Sequence, residues 1–293
     1  MSIEKNNIQQ VWDANAEKAE SLYHMRKSKD GKQTHFGPDK TELLIHQTTL
    51  DTIIEENKKN GLPTNVITLG PTPELRDLAL EKKCNVISID LNKKVIDAAK
   101  SHLEINPRSN ELVSICNWSE QPIKDGAIDF IMGSASLNNV PPDKLPEVLK
   151  EINRVLSEKG IAQFRQITFP ANHNSNYDFE TALNNYRTNK LSKRGFYVIL
   201  RFYSFLDEAY DAKKNILYAK KVFAKFDKLH TDGKLTDEEH AYLTSFRNNV
   251  EHTVFNQEKT KELLEKYFKK ITILHGEGEE YFKDLYNIFE VTK

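Results

Sequence analysis

Gly70, Pro71, Thr72, Pro73 and Glu74 follow the β-branched run NVITL and open a helical stretch. Gly70 permits a tight turn and lets a ligand approach the backbone, while the two prolines stiffen the loop. Glu74 falls in a first helical turn, where a carboxylate suits the helix dipole or a cationic ligand group. The run is not G-x-G-x-x-G, so it lacks the glycine cradle of a pyrophosphate site. Asp90 ends a second apolar run, NVISID, twenty residues after Gly70. A carboxylate there either accepts hydrogen bonds from ribose hydroxyls or caps the next helix. Arg165, near the end of a fifth run, is placed to hold an anionic substrate group or to pair with Asp129 or Glu74.

The elements that position these residues show in the periodicity. Apolar residues recur at helical spacing over 3–26, and a polar loop broken by Gly31, Gly37 and Pro38 follows. A second helix starts at Asp39 with Glu42 three residues on, a capping box, and is predicted to bury Leu43, Leu44, Gln47, Leu50 and Ile54. From residue 65, short apolar runs (65–70, 85–90, 111–116, 128–133 and 161–169) alternate with helical stretches, Gly160 breaking the last helix. Such alternation predicts a parallel, doubly wound sheet covered on both faces. Residues 172–268 show helical patterning with no convincing strand, and 269–275 and 285–292 read as two final strands. The predicted fold is α/β: a Rossmann-like, seven-stranded, mostly parallel sheet with an N-terminal helical pair and a large helical insertion after the fifth strand. The domain reading is an N-terminal helical lid (1–61), a core (62–170 plus 269–293) and a helical insertion capping the substrate (171–268). The segments before residue 60 and within 172–210 can both reach the ligand-binding edge of the sheet, and read as a closing lid.

Composition narrows the function classes. The chain has 42 Lys+Arg against 43 Asp+Glu, so it carries no global basic footprint for nucleic acid. No apolar run reaches the length of a membrane span, and the first residues lack the apolar stretch of a signal peptide. Cys84 and Cys116 form no CxxC pair and read as buried thiols of a reducing compartment, which predicts a cytoplasmic protein. The nine histidines form no HExxH, and no metal site is expected. KLHTDGKLTDEE (228–239) places Lys228 and His230 where calcium needs oxygen ligands; it reads instead as a turn and a Thr236–Glu239 capping box.

Residues 116–166 resemble class I S-adenosylmethionine-dependent methyltransferases. The features are Asn117 and Trp118 after the third strand, the approach Pro122, Asp125, Gly126, Asp129 and Phe130 to the fourth, and Arg154, Val155, Leu156 and Gly160 before the fifth. LGPTPEL (69–75) is similar to the Gly-x-Thr-Pro-Glu first motif of a bacterial branch, and GSASLNNV (133–140) to its Gly-Asp-Gly-x-Leu-Asn segment. The resemblance implies S-adenosyl-L-methionine as cofactor. It implies Gly70, Thr72, Pro73 and Glu74 at the methionine end, Asp90 on the ribose and Leu91 beside the adenine. Asn117 and Trp118 would line the adenine pocket, and Gly133 and Ser134 would border the methyl group. Ser134 and Ala135 stand where that branch has Asp-Gly. The implied function is methyl transfer to a small-molecule acceptor. Two alternatives are a non-catalytic S-adenosylmethionine- or S-adenosylhomocysteine-binding protein and, on Asp90 alone, a nicotinamide-dependent oxidoreductase.

Seven Phe and six Tyr fall between residues 169 and 226, about twice an even share. Aromatics at helical spacing pack a core, and part of such a surface can also roof an acceptor pocket. Tyr177, Tyr186, Tyr197 and Arg201 are, with Arg165, the polar-tipped candidates for the acceptor.

Overall fold

The computed structural model describes residues 37–100, 103, 105, 110–169, 177–277 and 285–293. The expected helix over 3–26, and most of the loop that follows it, lie outside the described residues.

Asp39 caps the first described helix, α1 (Lys40–Lys59), accepting from the Thr41 and Glu42 N–H groups at 2.8 and 2.9 Å. Glu42 returns the bond to the Asp39 N–H at 2.7 Å, so the capping box forms as expected. The alternation then runs β1 (Asn65–Leu69), α2 (Pro73–Glu81), β2 (Asn85–Asp90), α3 (Lys93–Lys100), β3 (Glu111–Ile115), β4 (Ile128–Ser134), α4 (Leu145–Val155) and β5 (Leu156–Ile167). The chain closes with β9 (Lys270–Leu274) and β10 (Tyr286–Thr292). These strands form one seven-stranded sheet in the order β3-β2-β1-β4-β5-β10-β9. β10 is antiparallel to β5 and β9, and the pairs among β1 to β5 are parallel. The fold is the doubly wound, Rossmann-like one that the sequence predicts.

Strand alternation splits the core into two layers. Val66, Phe130 and Met132 pack with Leu50 of α1 and Leu75 and Leu78 of α2. Ile67, Leu69, Ile131 and Phe289 face the other way, against Leu145, Val148, Leu149 and Ile152 of α4. Two details differ from expectation. α4 ends at Val155, and Gly160 lies inside β5 at a register irregularity, where an added Cβ would stand 2.9 Å from the Ile128 carbonyl. α1 buries Glu42, His46 and Leu50, whereas Leu44 is exposed. The face is turned because Glu42 serves as the counter-ion of Arg165 inside the protein.

The insertion holds α5 (Phe179–Arg187), α6 (Lys193–Ile199), a π-helical turn (Leu200–Ser204), α7 (Leu206–Ala209), α8 (Ala219–Thr231) and α9 (Asp237–Thr244). The Thr236–Glu239 capping box opens α9. The insertion also contains a three-stranded antiparallel sheet of β6 (Tyr210–Asp211), β7 (Ile216–Tyr218) and β8 (Glu251–Thr253), which the sequence reading passed over. α10 (Gln257–Leu264) packs on the main sheet: Leu264 joins the cluster of Leu149 and Phe289. The insertion therefore ends nearer residue 256 than 268. Its aromatic core gathers Phe196, Tyr197, Phe223, Phe226 and Phe246.

Asn138 fastens the insertion to the sheet. Its Nδ2 donates to the Ile167 and Thr253 carbonyls at 3.0 and 2.7 Å, and its Oδ1 accepts from the Ile167 N–H at 2.9 Å. The side chain is buried, so these bonds complete backbone groups that water cannot reach. Cys84 is buried and its thiol is pushed up to about 12 by burial; Cys116 is only half-buried, a correction to the expectation of two buried thiols. No helix among the described residues is long and apolar enough to cross a membrane.

Candidate functional site

In a doubly wound sheet the ligand crevice lies outside the carboxyl ends of the strands, where the strand order reverses. Here that point is between β1 and β4, with β2 alongside. A cavity of about 290 Å³ opens there. Its inner wall is Leu69, Gly70, Thr72, Asp90, Ser134 and Ser136; Leu91, Asn117 and Trp118 close one side, and Val140, Pro141, Lys144 and Val148 the other.

Gly70 has φ +86, a conformation that side chains resist, and a Cβ there would stand 3.8–3.9 Å from Ser136 Oγ, Trp118 Cζ2 and Asp90 Oδ2. Three walls of the cavity therefore converge on this glycine, and the missing side chain keeps the floor open. Ser136 Oγ donates to the Leu69 carbonyl at 2.6 Å and ties the loop after β4 to the end of β1. Ala135, beside it, also adopts a positive φ, +53.

Asp90 Oδ1 accepts from the Asn92 N–H at 2.8 Å, so the carboxylate turns the chain toward α3. Its second oxygen, Oδ2, points toward Gly70. The capping and ligand-facing readings of Asp90 thus coexist in one side chain. Burial pushes its pKa up to about 6, the backbone N–H groups of Asn92 and Leu91 offsetting only part of that.

Trp118 is held by its indole N–H, which donates to the Ile89 carbonyl at 2.9 Å. Asn117 Oδ1 accepts from the Ser119 N–H at 3.2 Å and shapes the turn. α4 supports this wall from below. Glu151 Oε1 accepts from the Gln121 N–H at 2.8 Å, and Gln121 Nε2 donates to the Trp118 carbonyl at 3.0 Å. Arg154 donates to the Ile123 and Gln121 carbonyls at 2.8 and 3.1 Å and pairs with Asp125 and Glu151. Arg154 and Asp125 of the resemblance thus brace the aromatic wall and do not line the cavity.

Of the sequence-predicted cofactor residues, Gly70, Thr72, Asp90, Leu91, Asn117, Trp118 and Ser134 line the cavity. Pro73, Glu74 and Gly133 do not: Pro73 and Glu74 lie in the first turn of α2, and Gly133 sits behind Ser136. Residues that the sequence reading missed include Ser136, Asn139, Lys144, Glu147 and Val148. Asn139 Oδ1 is buried without a hydrogen-bond partner, and its Nδ2 donates to the Ala135 carbonyl at 3.1 Å. The helical spacing of Lys144, Glu147 and Val148 marked a helix, but nothing in it marked a cavity wall.

None of the five acceptor candidates lines this cavity. Tyr186 stacks on Phe196 with ring centroids 4.6 Å apart, and Tyr177 packs on Tyr203 at 4.8 Å. Tyr197 and Arg201 are buried within the insertion. Arg165 pairs with Glu42 at 2.7 Å, not with Asp129 or Glu74. Asp129 is the second residue of β4 and accepts from the Asn65 N–H, at the opposite end of the strand from Ser134, the residue that Arg165 faces. Arg165 Nη1 lies 3.4 Å from Ser134 Oγ, just behind the cavity wall.

Residues 68–164 match the family model of a methyltransferase domain. The methyltransferase-domain stretch is about a third of the chain and includes every cavity-lining residue named above. No curated protein matches the chain. Among solved structures, a Rhodobacter sphaeroides protein named for a zinc-dependent alcohol dehydrogenase is 14% identical, with a TM-score of 0.52 over 94% of this chain and 98% of its own. A S-adenosylmethionine-dependent methyltransferase from Methanosarcina mazei is 16% identical, with a TM-score of 0.47 over 79% and 92%. The 1,6-didemethyltoxoflavin-N1-methyltransferase of Burkholderia thailandensis, solved with 1,6-didemethyltoxoflavin and S-adenosylhomocysteine, is 13% identical, with a TM-score of 0.44 over 96% and 89%. At these identities the likeness concerns fold alone. Among the described residues no group of three or more His, Cys, Asp or Glu is arranged to hold a metal ion.

Proposed function

We propose that the chain is an S-adenosyl-L-methionine-dependent methyltransferase acting on a small-molecule acceptor. The observation that carries this reading is the convergence of Gly70, Asp90 and Trp118 on one cavity inside the methyltransferase-domain stretch. The residues fit the cofactor. Asp90 offers a carboxylate oxygen to ribose hydroxyls, and Trp118 a fixed aromatic face to adenine. Gly70 leaves room where any side chain would obstruct the ligand.

When bound, S-adenosylmethionine supplies a methyl group on a sulfonium, already activated for in-line displacement. The protein's work is then alignment and exclusion of water. The Leu69, Gly70 and Ser134 end of the cavity lies at the carboxyl ends of β1 and β4, where an acceptor from the insertion side would meet the methyl group. The test is turnover: S-adenosylmethionine incubated with the chain and pooled small-molecule extract should yield S-adenosylhomocysteine above the extract-free control.

A second reading, cofactor binding without transfer, is favoured by one observation. Ser134 presents a hydroxyl where the resembling branch has a carboxylate, and Arg165 stands behind it. Tight S-adenosylhomocysteine binding with no turnover on any extract would select that reading.

A further inference from the structure

Ser134 ends β4 and stands beside Arg165 in the parallel register of β4 and β5. Ala135, the next residue, donates its N–H to the Arg165 carbonyl at 2.7 Å, so the register holds to the end of the strand. Ser134 also lines the cavity, at its methyl-donor end in the methyltransferase reading. The side chain behind it is a guanidinium. Arg165 is fully buried, and its Nη1 donates to Ser134 Oγ at 3.4 Å.

That bond sets the direction of the hydroxyl. A guanidinium has donors only, so Ser134 Oγ is the acceptor and its own proton points elsewhere. Among the described residues nothing accepts that proton, and the cavity is the open space beside it. Ser136, on the same wall, donates its proton to the Leu69 carbonyl. Ser134 is therefore the wall serine able to donate to a ligand. The charge behind it is oriented as well: Glu42 accepts from Arg165 Nε at 2.7 Å, while Nη1 is turned to Ser134. Burial works against the Arg165 cation, yet the charge and hydrogen bond of Glu42 hold its pKa above the ordinary value. A hydroxyl polarised by a guanidinium donates best to an anion.

An acceptor that must lose a proton needs a base within hydrogen-bond reach. Among the described residues no His, Cys or Tyr lines the cavity. Its ionisable walls are Asp90, which faces the ribose in the methyltransferase reading, and Glu120, Lys144 and Glu147, which come from the loop after β3 and the start of α4. Alcohols, and phenols with a pKa of about 10, keep their proton at neutral pH, whereas carboxylic acids, at about 4, do not. An amine gains positive charge as it takes the methyl group, which a wall backed by a guanidinium opposes.

On the methyltransferase reading, on which this rests, we propose that Ser134 selects the methyl acceptor and that the acceptor is a carboxylate, one oxygen held by the Ser134 hydroxyl and the other aimed at the methyl carbon. A lone pair on that second oxygen forms the bond to the methyl carbon as the carbon–sulfur bond breaks, and the electrons of the broken bond stay on sulfur. Anionic carboxylate and cationic sulfonium become a methyl ester and a neutral thioether, with no proton moved. Arg165 is a positioning residue, acting through Ser134 from behind the wall.

Two experiments on the full chain test this. In the first, the chain loaded with S-adenosylhomocysteine is melted at constant ionic strength against acetate and neutral acetamide. Acetate should raise Tm saturably and acetamide should not. Ser134→Ala should raise the half-saturating acetate concentration at least about tenfold, the scale for one charge-assisted hydrogen bond. Arg165→Gln should do the same while its affinity for S-adenosylhomocysteine holds, a split that a merely structural role would not give. Equal responses to acetate and acetamide, or a full acetate response in either variant, overturn the proposal. The acetate–acetamide contrast uses the unaltered chain, so it decides even where a variant does not fold. In the second experiment, methyl-labelled S-adenosylmethionine is turned over with pooled small-molecule extract and the product is treated with mild alkali. Label should leave as methanol, as it does from a methyl ester. Label retained in an alkali-stable amine or ether overturns the proposal and leaves the methyltransferase reading standing. Bound S-adenosylhomocysteine without turnover on any extract, or no S-adenosyl binding at all, overturns that reading and this proposal with it.

Discussion

The cavity over β1 and β2 and the polar seam under the insertion share one edge of the sheet and are built in opposite ways. The cavity is made by loops that leave consecutive strands, so neighbours in space are residues such as Gly70, Asp90 and Trp118 at the ends of adjacent strands. Its polar groups face open space, and its one ionisable group near the floor, Asp90, is shifted by burial without a charged partner. The seam joins residues from α1, β5, β10 and the insertion, and its charges face protein. The difference teaches that ligand affinity should reside in the first region and fold stability in the second. Substitutions should separate the two.

The largest effect is expected at Arg165. Arg165→Ala leaves Glu42 buried without its counter-ion, and loss of one partner of a buried pair costs about 3–5 kcal/mol. Urea unfolding measures this, while the affinity for S-adenosylhomocysteine in the folded variant should stay close to wild type. A large loss of affinity would merge the two regions and break the comparison. Asn138→Ala comes next. It removes three hydrogen bonds to buried backbone groups and should destabilise by about 2–4 kcal/mol in the same assay.

Asp90→Ala should show the reverse pattern. S-adenosylhomocysteine binding should weaken by about 1.5–3 kcal/mol, the scale for hydrogen bonds to a charged group. Unfolding free energy should hold, because the carboxylate is itself strained by burial. Affinity should also fall as pH drops through about 6, since protonated Asp90 loses acceptor capacity. An affinity flat from pH 5 to 8 would remove Asp90 from the site.

A further effect concerns stability against pH beside the seam. His46 is held down to about 4 by burial, so the folded state keeps it neutral where the unfolded chain, with the ordinary value of 6.5, takes up a proton. Its contribution is fully present above pH 6.5 and is lost progressively as pH falls toward 4. His46→Gln should flatten that part of the unfolding profile.

The two regions also differ in how far the sequence reveals them. Strands β1, β2 and β4 and the turn at Gly70 are local patterns, and seven of the ten expected cofactor residues line the cavity. The seam is not local. Glu42 and Arg165 stand 123 residues apart, and nothing near Arg165 names its partner. α1 shows a pattern in which Leu44 passes for a core residue, yet the counter-ion requirement turns Glu42 and His46 inward instead. β6, β7 and β8 have two or three residues each, too few for a period of two to register. Their sheet arises because pairing completes backbone groups beside the Asn138 clamp.

The central claim is that the cavity at Gly70, Asp90 and Trp118 binds a S-adenosyl nucleoside. Isothermal titration of the full chain with S-adenosylhomocysteine, S-adenosylmethionine and NAD tests it most directly. The account predicts saturable one-to-one binding of both S-adenosyl compounds, weakened at least about tenfold by Asp90→Ala, and no heat of binding with NAD. Binding of NAD, or S-adenosylhomocysteine binding indifferent to Asp90→Ala, would contradict it.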